Sequence, residues 1–79
     1  MVARAAESPP MQARAIATRT RLLEAAIDVL VKHGYAGTST VEVCKRAKAS
    51  RGAHLHHFPT KSELLAAAVE HLFARRLAE

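Results

Sequence analysis

Between Ser39 and Thr60 the sequence sets three helix starts close together. Ser39 with Glu42, and Thr60 with Glu63, match the capping box, in which a hydroxyl and a carboxylate three residues on satisfy the orphan amides of a helix start. Ser50 offers an N-cap between them. Starts so closely spaced leave room only for short helices, one from Thr40 to about Ala47 and one from Ser50 through His57 or Phe58, with Pro59 as the interruption after it. Helices of about two turns do not hold in water by themselves, so both must lean on longer neighbours.

The sequence supplies those neighbours on either side. From about Gln12 to His33, Leu22, Ala26, Val29 and Leu30 form one stripe at the 3.6-residue period, and Gly34 is placed to end that helix. A loop is expected over Tyr35 to Thr38. After Thr60, Leu65, Ala68, Val69 and Leu72 form a second stripe with Phe73 beside it, and no glycine or proline stop follows. There is no internal repeat and no strand-like alternation. The expectation is an all-α fold: a homeodomain-like three-helix unit containing a helix-turn-helix, plus the start of a fourth helix. Residues 1–12, rich in proline and without periodicity, read as a flexible basic arm, with Ser8 before Pro9 as an early cap and Arg4 adding charge; the domain proper is expected over 13–79. Cys44 and Ala47 are small enough to let the two short helices meet. Lys48 stands in the turn where glycine is expected, and a left-handed lysine there costs about 1 kcal/mol.

Twelve Lys and Arg against seven Asp and Glu give a net charge of +5 over 79 residues. That balance favours a polyanionic partner. Between Val43 and Ser62 the sequence has Lys45, Arg46, Lys48, Arg51 and Lys61, three histidines and no acid. A basic run is ordinarily a solvated face; here it coincides with the turn and third helix of the helix-turn-helix, which makes it a candidate binding surface. One cysteine excludes an internal disulfide and fits a reducing cytoplasm. No signal peptide is read at the N-terminus, and no apolar run is long enough for a membrane span, so a membrane partner is not expected.

The stretch SRGAHLHHFPTK poses the question of its histidines. His54 and His57 lie at i and i+3, and Cys44 is a conceivable third metal ligand, but no local carboxylate or cysteine completes a set and the surrounding positive charge repels a dication. No metal and no cofactor are expected. Catalysis is not expected either, because no carboxylate orients an imidazole and so small a helical domain offers little pocket.

Over residues 16 to 72 the chain resembles the DNA-binding domain of the tetracycline-repressor (TetR/AcrR) family. LLEAAIDVLVKHGYAGTST is similar to the family's first helix with its closing glycine and the opening of helix two. VEVCKRAKAS is similar to helix two and the turn, and SRGAHLHHFPTKSELL to the recognition helix, the F-x-x-K and the leucines of helix four. The departures are Lys48 for glycine, Ala53 for Thr or Ser, His54 for an apolar residue, and Leu55 for a tyrosine that touches phosphate. The resemblance implies sequence-specific binding to a double-stranded DNA operator by a bacterial transcriptional regulator, a repressor in the usual case. It also implies a larger C-terminal domain, absent from these residues, that would form the homodimer and take any small-molecule inducer.

On this reading the third helix, Ser50 to His57, enters the major groove. Arg51 pairs with guanine O6 and N7, and Gly52 permits close approach. Ser50 and Ala53 share that helix start. Ser39 and Thr40 hold a phosphate at the start of helix two, Lys61 does so at the start of helix four, and Lys48 adds unspecific attraction with Lys45 and Arg14. Phe58, with Leu55 one turn before it, is expected in the core. His56 is expected in the groove and His57 at phosphate, while His54 is left open between a partly buried hydrogen-bonded residue and a groove residue. The alternative class is a basic helical protein-interaction module that meets an acidic partner.

Overall fold

A computed structural model of the chain describes residues 11–78. The arm through residue 10, with the Ser8 cap and Arg4, lies outside the described residues. Four helices follow one another: α1 (Met11–Gly37), α2 (Thr40–Ala47), α3 (Arg51–His57) and α4 (Lys61–Ala78), and no strand occurs among the described residues. The all-α expectation holds. Met11 and Gln12, read as arm, already belong to α1.

The inward face of α1 is Leu22, Leu23, Ala25, Ala26 and Val29, all buried, with Leu30 half-buried at its edge. Gly34 breaks the helix as its type demands, at φ 74° and ψ 176°. The loop expected after it is instead one more helical turn reaching Gly37. Thr38 is buried and therefore needs a partner for its hydroxyl, which donates to the Gly34 carbonyl at 2.7 Å. Its amide donates to the Tyr35 carbonyl at 3.2 Å. A Cβ on Gly37 would sit 3.0 Å from the His33 Cβ, so a larger residue there would require the turn or the His33 side chain to give by a few tenths of an ångström.

The caps behave as the sequence specifies. The Ser39 hydroxyl accepts from the amides of Val41 and Glu42, Ser50 from Ala53 at 3.0 Å, and Thr60 from Glu63 at 3.1 Å. Lys48 is left-handed, at φ 55° and ψ 44°. Its amide donates to the Lys45 carbonyl at 3.2 Å while the Ala49 amide donates to Cys44 at 3.0 Å, the paired bonds of a Schellman motif. Arg21 reaches across from α1 and donates from Nε to the Ala47 carbonyl at 2.9 Å, placing a cation on the C-terminal end of α2.

Val43 and Ala47 of α2, Phe58 after α3, and Leu64, Leu65 and Ala68 of α4 complete one core with α1. The stripe on α4 is rotated from the expected one. Its centre runs through Leu64 and Ala68, which leaves Leu72 at the margin and turns Val69 and Phe73 outward. Taking in Leu64, about 100° from Leu65 on the helix, moves the centre of the stripe toward Ala68 and away from Val69. Beyond the core, His71 and Arg75 each reach Glu24 of α1 at 3.3 Å. Being largely solvent-exposed, these pairs add little to stability.

Candidate nucleic-acid interface

The helix α3 touches the core through two side chains one turn apart, His54 and Phe58. Four residues of α-helix return to nearly the same face, so burying these two turns Gly52, Leu55 and His56 outward, while Arg51, in the first turn of α3 at the mouth of the α2–α3 cleft, is exposed as well. His54, left open between the core and the groove, is buried at 4 % exposure, and its Nδ1 has no hydrogen-bond partner among the described residues. One expectation is corrected. Leu55, placed in the core by its spacing from Phe58, is 45 % exposed. The cause is the phase of the helix: His54, four before Phe58, takes the inward position, and Leu55 follows about 100° away.

Ala53 and His57 are half-buried on the flank of α3. His57 packs its ring near Phe58, with centroids 6.2 Å apart, and edge-on to His56 at 5.1 Å. Burial holds its pKa below the ordinary histidine value, and the neighbouring His56 and Arg19 add to the effect. Arg19, from α1, covers the Phe58 ring at 5.1 Å from its centroid. Positive charge from α1 thus meets the end of α3, a pairing that no local pattern in the sequence announces.

Between α2 and α3 lies a cleft of about 350 Å³ bounded by Thr40, Val41, Cys44, Arg51 and His54, among others. Cys44 is only half-buried there. Burial raises its thiol pKa and the Arg51 guanidinium opposes the rise, so the thiol form is favoured at neutral pH. Ser39 is exposed and Thr40 half-buried at the start of α2; Lys48 and Ser50 are exposed across the turn. Lys61 opens α4 with its ammonium 4.7 Å from the centroid of the Tyr35 ring, and the Tyr35 hydroxyl shares a hydrogen bond of 3.1 Å with Ser62. Tyr35 therefore positions Lys61, a role missed in the sequence because the expected loop hid it. Ser39, Thr40, Lys48, Ser50, Arg51, Gly52, His56 and Lys61 are at least partly open to solvent around the α2–α3 side of the molecule, and His54 alone of the named set is buried. No group of three or more metal-binding side chains is gathered among the described residues.

Comparison with known proteins adds to this geometry. The family model described as bacterial regulatory proteins, tetR family, matches residues 22–68, from the first buried leucine of α1 to the last buried residue of α4. The chain belongs to the tetR family. This tetR-family domain is 50 % identical over 60 residues to the HTH-type transcriptional regulator CymR of Pseudomonas putida, an overlap covering 76 % of the chain and 30 % of CymR. It is 39 % identical over 66 residues to an uncharacterized HTH-type transcriptional regulator of Mycobacterium tuberculosis, covering 84 % and 34 % of the two chains. With the HTH-type transcriptional regulator UidR of Escherichia coli K12 it shares 37 % identity over 59 residues, or 75 % and 30 %. The chain spans about a third of the length of these curated relatives. No solved structure matches it significantly.

Proposed function

We propose that this domain binds double-stranded DNA sequence-specifically, with α3 in the major groove, and serves a transcriptional regulator that represses from its operator. The observation that carries the reading is the placement of charge: the acid-free segment from Val43 to Ser62 holds the exposed side of a helix-turn-helix in a family of regulatory proteins. Arg51, exposed in the first turn of α3, offers its guanidinium to guanine O6 and N7. Gly52 keeps the backbone close to the bases, with Ser50 and Ala53 beside it, and His56 projects from the next turn. Ser39 and Thr40 present hydroxyls and backbone N–H groups at the start of α2 to one phosphate, and Lys61 meets another at the start of α4. Lys48 and His57 add attraction to the backbone.

Regulation rather than catalysis fits the family and its relatives' names, and no helix among the described residues is long and apolar enough to cross a membrane. The reading places the domain in the cytoplasm, where operators are. Resemblance supports a homodimer and an inducer site in the part of the relatives that lies outside the matched third, with paired domains meeting half-sites about one helical turn apart.

Binding-site selection tests the proposal. The 79-residue chain is expected to prefer one sequence over random duplex, with affinity that falls steeply as salt rises. Arg51→Ala should weaken binding to the selected site by about 1–3 kcal/mol and relax preference at one base pair, with a much smaller effect on random duplex. The same preferred sequence for both proteins would remove Arg51 from readout, and binding only to an acidic protein would favour the interaction-module alternative.

A further inference from the structure

The outward face of α3 holds one side chain that neither the core nor a charged backbone explains. Leu55 is 45 % exposed between small and basic neighbours, four residues beyond Arg51 and therefore on the same side of the helix one turn further along. A single exposed leucine needs no explanation in general. This one stands on the helix proposed to meet bases, where water and phosphate give an isobutyl group nothing to bind. The apolar feature that a base pair presents in the major groove is the thymine C5-methyl group.

We propose that Leu55 is a further specificity-determining residue, which reads a thymine methyl group next to the guanine contacted by Arg51. The assignment rests on the proposed binding of DNA by α3. Its position is constrained by geometry: four residues advance an α-helix by about 6 Å, and successive bases of one strand are separated by about 3.4 Å. The thymine therefore lies one or two base pairs from that guanine. Because Leu55 is turned away from the core, its removal changes the groove face and leaves His54 and Phe58 in place. Alanine also keeps the helix propensity of the position.

Deoxyuridine differs from thymidine by the methyl group alone, and it supplies the test. After selection has defined the preferred half-site, each thymine in turn is replaced by deoxyuridine and binding is measured with the wild-type chain and with Leu55→Ala. Wild type should lose about fourfold at one thymine, the factor expected for burying one methyl-sized group. That thymine should be one or two base pairs from the position relaxed by Arg51→Ala. Leu55→Ala should bind the thymine duplex more weakly by a similar factor and no longer distinguish it from the deoxyuridine duplex. Equal wild-type binding to both duplexes at every position overturns the assignment, as does a methyl effect that survives in Leu55→Ala. Selection of no sequence at all is a different result, which overturns the DNA reading and this inference with it.

Discussion

A buried imidazole nitrogen that no neighbouring group engages lowers the stability of the fold that encloses it. His54 Nδ1 has no partner among the described residues, and the residue is almost wholly buried. Leaving such a group unsatisfied costs about 1–3 kcal/mol, whereas an apolar side chain of similar size costs nothing of the kind. His54→Leu is therefore expected to stabilise the domain by about 1 kcal/mol, raising its thermal midpoint by about 4–8 °C for a chain of this size. DNA binding should be retained, because the side chain faces the core; a fall in the midpoint would show that the imidazole has a partner. Spacing from Phe58 points to Leu55 as a core residue and leaves His54 open, whereas the packed helix buries His54 and exposes Leu55. Helix phase is set by what α3 packs against, and those partners come from the adjoining α2 and from α1, which is distant in sequence.

The turn between α2 and α3 shows what was legible locally. Ser39, Ser50 and Thr60 cap their helices through bonds spanning three residues or fewer, so each could be recognised from its own neighbourhood. Lys48 was likewise placed by its position at the end of α2, and it adopts the left-handed conformation expected there. The rotation of α4 and the pairing of Arg19 with Phe58 depend on contacts between elements and left no local trace, whereas the extra turn after Gly34 is closed by the local bonds of Thr38, which its pattern did not announce. Lys48→Gly removes the left-handed penalty and should stabilise the domain by about 1 kcal/mol in chemical unfolding. On the proposed function the same change removes a phosphate contact, so the slope of log affinity against log salt should become shallower by about 0.9. A variant that gains stability but keeps the full salt slope would take Lys48 out of the DNA contact.

Across the whole molecule, charge on the reading side links binding to protons. Burial holds His57 mainly neutral near pH 7, with its pKa below 6.5, and a nearby phosphate would push that pKa upward. A group whose pKa rises on binding takes up a proton, so DNA affinity should increase as pH is lowered from about 7.5 toward the free-protein pKa, and His57→Gln should flatten this dependence. Folding runs the other way. The depressed pKa in the folded chain makes the contribution of His57 to stability present above 6.5 and lost as pH falls through the folded value. Measuring affinity and unfolding over the same pH range checks both signs, and parallel trends in the two would contradict the assignment of His57 to a phosphate. The anchoring of α3 mainly through the buried His54 and Phe58 has a consequence for how such a domain changes over generations. Substitutions at Arg51, Gly52, Leu55 and His56 leave those anchors untouched, so a duplicated copy can acquire a new target site without first finding a new way to fold.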